Sequence, residues 1–185
     1  MRLTEVTHRN ELPFLLRSRG VESIVEVGNG NGTHLKQLAQ AEPRLLVSVD
    51  VWLGECGSTE DTLRMLKFWA SQQPFEVLFC EMTSVTAALR FAREGRQFDF
   101  VYIDADHNYQ PVYDDLRAWW PRVKPGGIFA GHDYRTPEHY SSANTYRGLR
   151  RAIDEWEAEV GLPIHKGLAC SSWMLEKPDE RPHKS

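Results

Sequence analysis

Cysteine is scarce: Cys56, Cys80 and Cys170 are the only three in 185 residues. An odd number without metal-type spacing excludes a disulfide framework and a cysteine-built zinc site, and it suits a reducing compartment, so the expected location is the cytoplasm. No apolar run reaches the length of a membrane span. The opening stretch MRLTEVTHRNELPFLLRSRG breaks its apolar positions with charge, which excludes the h-region of a signal peptide. Neither sign of charge predominates: 22 Lys and Arg against 26 Asp and Glu leave −4, with no block of either. That balance argues against nucleic acid and against a membrane surface as partners. Internal repeats are absent. The length fits one domain, expected over 1–177, followed by a flexible tail at 178–185, where PDERPHKS is charged and rich in proline.

What is present is alternation. Strand-like apolar runs recur at 22–27, 44–50, 75–81, 98–104 and 126–133. Stretches with helical spacing lie between them. Strict alternation of this kind predicts an α/β fold with a doubly wound, Rossmann-like, mostly parallel sheet and helices on both faces. After Asp133 the pattern changes to a polar, aromatic segment, Tyr134 to Tyr146, and then to a helix-like RGLRRAIDEWEAEVG. Two short runs, PIHKGLA and SSWMLEK, follow and predict a terminal antiparallel hairpin that brings the sheet to seven strands.

The first strand-like run leads into EVGNGNG, with glycines at Gly28, Gly30 and Gly32. A strand, a glycine-rich turn and a helix start form a generic device for receiving a polar ligand, because glycine tolerates unusual dihedrals and close backbone approach. The dinucleotide fingerprint wants its third glycine one residue later, where this chain has Thr33, which weighs against a pyrophosphate ligand. One strand later, Asp50 ends LLVSVD, where doubly wound folds place an acid that accepts ribose hydroxyls; capping the next helix is the alternative. Ser84 has an N-cap alternative too. Trp119 and Trp120, beside PRVKPGG, are read as core packing.

G-x-G-x-G preceded by Glu26 resembles motif I of class I S-adenosylmethionine-dependent methyltransferases. The segment VYIDADHNYQPVYDDLRAWWPRVKPGGIFAGHDY, with VDVW and SSWMLEK, resembles the macrocin O-methyltransferase-like family in its methyltransferase domain, and the likeness runs over roughly residues 10 to 177. It implies S-adenosyl-L-methionine as cofactor, held by Glu26, Gly28, Asn29, Gly30, Gly32, Asp50 and Trp52, with Met82, Thr83 and Ser84 around the adenine. It also implies O-methylation of a small hydroxylated acceptor such as a sugar or glycoside.

Asp104 and Asp133 end the fourth and fifth strand-like runs, so two carboxylates are expected in one crevice. Such a pair is costly without a cation or proton between them. A divalent metal, Mg²⁺ or another, is the expected partner of Asp104 and Asp133. Relatives carry an acid directly before the second aspartate, whereas this chain has His132, a candidate ligand that favours softer ions. Asp106 is a candidate substitute oxygen ligand. His107, three residues after Asp104, sits where some macrolide-sugar relatives carry a proposed general base, with Asp104 its catalytic neighbour. Helix capping by Asp106, His107 or Asn108 is the alternative. The chain is short beside those relatives, so a homo-oligomer whose neighbouring subunit completes the pocket is a further expectation. Two rival readings remain: an NAD-type oxidoreductase, and a non-catalytic domain that binds S-adenosylmethionine without turnover.

Overall fold

A computed structural model describes residues 2–54, 57–134, 145–168 and 172–179. Cys56, Cys170, most of the 134–146 segment and the tail from 180 onward lie outside the described residues. Strands β1 (Ser23–Val27), β2 (Leu45–Asp50), β3 (Glu76–Glu81), β4 (Phe98–Ile103), β5 (Val123–Gly131), β6 (His165–Leu168) and β7 (Ser172–Glu176) form one sheet in the order β3-β2-β1-β4-β5-β7-β6. The first five run parallel, and β7 pairs antiparallel with both β5 and β6. The expected mostly parallel sheet with a terminal hairpin is therefore what the chain builds.

Helices α1 (Leu12–Ser18), α2 (Thr33–Leu38) and α3 (Glu60–Ala70) cover one face, α4 (Ser84–Arg93), α5 (Tyr109–Trp119) and α6 (Thr145–Val160) the other. Every residue of β1 is buried, as a central strand covered on both faces requires. Its alternate side chains divide between two cores. Val25 and Val27 join Phe91, Leu116, Trp119 and Trp156, while Ile24 joins Leu12, Leu16, Leu35 and Leu66. Trp119 is fully buried and Trp120 packs edge-on to Trp156, so both tryptophans serve the core.

Some boundaries differ from the sequence reading. Strand β5 begins at Val123 rather than Gly126, because a 3-10 turn, Trp120–Arg122, ends the preceding helix early. Helix α1 gives little periodic signal over its seven residues, yet Leu12, Leu15 and Leu16 are fully buried.

The strand order reverses between β1 and β4. In an open α/β sheet that reversal leaves a crevice beyond the strands' carboxyl ends, where the flanking connections diverge to opposite faces. The glycine turn follows β1 there, Asp104 follows β4, and Asp133 follows β5 one strand further on.

Candidate functional site

Gly28, Gly30 and Gly32 all have left-handed backbones, with φ of 85°, 51° and 75°. A Cβ on Gly28 would lie 2.1 Å from the Asp104 carbonyl oxygen, and one on Gly32 would lie 2.5 Å from Leu66. The molecule's own chain is thus what comes so close at these two positions. The consequence is functional, since the turn is pressed against the backbone that carries Asp104.

Beneath the turn, buried Glu26 accepts from Asn29 Nδ2 at 2.9 Å and pairs with His34 Nδ1 at 2.7 Å. Burial pushes the Glu26 carboxyl above its ordinary range, with His34 opposing the shift. Ser48 donates to Asn29 Oδ1 at 2.9 Å. Asp50 holds the turn from the side: Oδ2 accepts from the Asn29 and Gly30 amides, at 2.8 and 3.3 Å, while Oδ1 accepts from Val51, Trp52 and the Ser58 hydroxyl. Five donors fill a carboxylate with about four lone-pair sites. In this structure Asp50 organises the glycine turn. Thr59, not Asp50, caps α3.

The expected adenine residues divide. Trp52 is buried with φ of 50°, and among the described residues its Nε1 has no hydrogen-bond partner. Met82 donates its amide to the Asp50 carbonyl at 3.1 Å. Thr83, not Ser84, is the N-cap of α4. Ser84 Oγ faces inward and accepts from Trp119 Nε1 at 2.9 Å, so its hydroxyl belongs to the α4–α5 contact.

Four side chains converge beyond β4 and β5. His107 Nε2 lies 3.3 Å from Asp133 Oδ2 and 3.9 Å from Asp104 Oδ1, and His132 Nδ1 lies 3.3 and 3.6 Å from the same two oxygens. Asp133 is held in place by a left-handed backbone, φ 58°, uncommon for a residue with a side chain. One donor atom each from Asp104, His107 and Asp133 fall within 4.8 Å of one another. Asp106 is exposed, accepts from the Asn108 amide and stands outside this cluster.

The charges hold one another. Burial would raise the Asp104 carboxyl, but His107 and His132 outweigh it and keep the carboxyl well below its usual range. Burial would lower His132, yet its contacts with Asp104 and Asp133 push it up to about 9. The Asp104 hydrogen bond raises His107, against burial. Two carboxylates with an imidazole suit a borderline divalent ion that accepts nitrogen, such as Zn²⁺, Ni²⁺ or Fe²⁺. Mg²⁺, which prefers an all-oxygen shell, fits this donor set less well.

The sequence reading missed Arg9, whose Nη1 lies 3.9 Å from Asp104 Oδ2. No periodicity or motif marks it, because the turn that carries it is placed by tertiary packing alone.

A family model described as a methyltransferase domain matches residues 7–134. A trans-aconitate 2-methyltransferase of Deinococcus radiodurans is 27% identical over 157 residues, 82% of this chain and 51% of that protein. The chain thus spans about half the length of this curated relative. Among solved structures, an O-methyltransferase from Bacillus cereus in complex with SAH superposes with a TM-score of 0.66 at 17% identity, over 96% of this chain and 82% of that one. A TDP-rhamnose 3′-O-methyltransferase of calicheamicin biosynthesis gives 0.67 at 16%, over 90% and 76%. These likenesses show the class I methyltransferase fold.

Proposed function

Because the chain belongs to the methyltransferase domain family, we propose that it transfers a methyl group from S-adenosyl-L-methionine to a hydroxyl of a small polyhydroxylated acceptor, such as a sugar or glycoside. The observation that carries this reading is the abutment of two features at one switch point. The glycine turn lies against the Asp104 backbone, and the Asp104, His107, His132 and Asp133 side chains gather beside it. The curated relative's name and the solved O-methyltransferases support the reaction class.

When bound, the donor supplies a methyl group made electrophilic by its sulfonium. Two features of the chain fit a ligand with a polar adenosyl and a charged methionine part: the buried Trp52 Nε1, which makes no hydrogen bond among the described residues, and the Arg9 guanidinium, paired with Asp104 only at 3.9 Å. Glu26, Gly28, Asn29, Gly30 and Gly32 shape the bed of the methionine part, Asp50 stands by the ribose, and Trp52 and the chain at Met82, Thr83 and Ser84 border the adenine. The chain's first task is alignment, since methyl transfer needs acceptor oxygen, carbon and sulfur in line at close approach. The His107 imidazole receives the acceptor's hydroxyl proton, and the carboxylates of Asp104 and Asp133 beside it stabilise the imidazolium that results. Asp104, Asp133 and His132 would hold a divalent ion, which lowers the pKa of a hydroxyl bound to it.

The reading extends to one domain over 1–177, to the cytoplasm, and to a homo-oligomer. Buried Cys80, its thiol pushed up by burial, is consistent with a reducing compartment. Among the described residues no helix is long and apolar enough to cross a membrane.

Calorimetric titration with S-adenosylhomocysteine and with NADH tests the donor. Binding of the first alone is expected, and binding of NADH alone would establish the oxidoreductase reading instead. Methyl transfer to a panel of glycosides with labelled donor tests the reaction. Donor binding without transfer to any hydroxyl in the panel would favour the non-catalytic reading.

A further inference from the structure

Arg9 stands on a 3-10 turn, Arg9–Glu11, that the chain fixes on both sides. Before it, His8 Nδ1 accepts from the Asn10 amide at 3.1 Å, and the Glu11 carboxylate accepts from the Thr7 and His8 amides at 2.7 and 3.3 Å. After it, Leu12, Leu15 and Leu16 anchor α1 in the core. The side chain is 29% exposed, so most of it is withdrawn from water.

A guanidinium carries five N–H donors in a planar fork. Among the described residues, that of Arg9 makes no hydrogen bond, and its ion pair with Asp104 Oδ2 is held at 3.9 Å, beyond hydrogen-bond reach. Its charge is felt by the Glu26 carboxyl and the Tyr102 hydroxyl, which places it over the ends of β1 and β4. Asp104 meanwhile divides its oxygens: Oδ1 faces His107 and His132, and Oδ2 faces Arg9. A partly desolvated cation and anion that lie side by side without hydrogen-bonding each other can each turn a hydrogen bond to one ligand group that bears both charges. An α-amino acid head is such a group, its carboxylate matching the guanidinium fork and its ammonium the carboxylate oxygen.

We propose that Arg9 is the carboxylate-binding residue of this site, and that with Asp104 Oδ2 it receives the zwitterionic methionine head of the donor. This rests on the S-adenosylmethionine reading above and deepens it. A carboxylate could also come from an acidic acceptor. The placement of Arg9 beside the glycine turn's strand favours the donor, and the test separates the two sources.

The test is calorimetric titration of the full chain with S-adenosylhomocysteine and with its decarboxylated counterpart, for the wild type, Arg9→Gln and Arg9→Lys. In the wild type, removal of the carboxylate is expected to weaken binding about ten- to a hundredfold, the range of a charge-assisted pair. Arg9→Gln is expected to bind S-adenosylhomocysteine as weakly as the wild type binds the decarboxylated ligand, and to distinguish the two no longer. Arg9→Lys should regain part of the discrimination, which a purely structural role would not produce. Equal affinity of the wild type for both ligands would overturn the proposal and assign the guanidinium to an acceptor's anion. Undiminished discrimination in Arg9→Gln would overturn it as well. Should Arg9→Gln not fold, the wild-type comparison together with Arg9→Lys decides the matter. Failure of the wild type to bind either ligand would sink the donor reading itself, a distinct outcome.

Discussion

At the scale of single residues, His107 and His132 present the same two carboxylates with different atoms, Nε2 and Nδ1, and their tasks can be separated. His107 shares the 4.8 Å cluster with Asp104 and Asp133; if its task is to accept the proton, with His132 completing the ion site, it should be dispensable for holding an ion. His107→Ala is expected to lower kcat about a hundredfold or more, within the range of general-base loss, while cobalt affinity, read from its visible absorption, changes little. A parallel collapse of cobalt binding would make His107 a ligand instead. The two aspartates were legible in the sequence because strand ends fix where their side chains emerge, and His107 because the segment around it resembles the family's. Asp50 was legible as a position but not in its contacts with the glycine turn. That five donors from the glycine turn, the Val51 and Trp52 amides and Ser58 would fill its carboxylate depends on loops whose path no local pattern encodes.

At the scale of elements, α5 carries a buried acid into the core. Asp115 is 4% exposed, and burial pushes its carboxyl up to about 6, with Ser84 opposing the shift. The folded-state pKa therefore lies above the unfolded one, and the native state binds more protons between them. Stability should fall as pH rises from about 4 to about 6 and then level off. Asp115→Asn is expected to remove that slope and to raise stability at neutral pH by on the order of 2 kcal/mol, measured by urea unfolding across pH 4–8. An unchanged slope would show that Asp115 is not its source. The elements themselves were readable from periodicity, apart from α1 and the early start of β5. The α5 pattern gave no warning of Asp115, since an acid on a mostly polar helix is ordinarily solvated.

For the whole molecule, the sheet ends at β3, whose outer ladder is open, and α3 beside it exposes Met65 and Phe68, the latter by 73%. The two are spaced i, i+3 and share a helix face. The homo-oligomer in the proposed reading is placed here, where a second copy would cover apolar surface that water now meets. Light scattering is expected to give at least twice the chain mass, with Phe68→Asp shifting it to the monomer. A monomeric wild type at high concentration would remove this part of the reading. The strand order was beyond the sequence, which shows alternation but not where the winding reverses. That reversal decides that β1 and β4 share a crevice.

The sequence by itself determined the α/β alternation, the left-handed glycine turn and the two aspartates at strand ends, because each follows from short-range periodicity or from the dihedral freedom of a few adjacent residues. Only the tertiary structure decided that Arg9 stands by Asp104, that Asp50 is occupied by the turn it holds, and that His107 and His132 close on the same pair of carboxylates. Those contacts join segments far apart in the chain. Their geometry depends on packing of the whole sheet and its helices, which no local stretch of residues specifies.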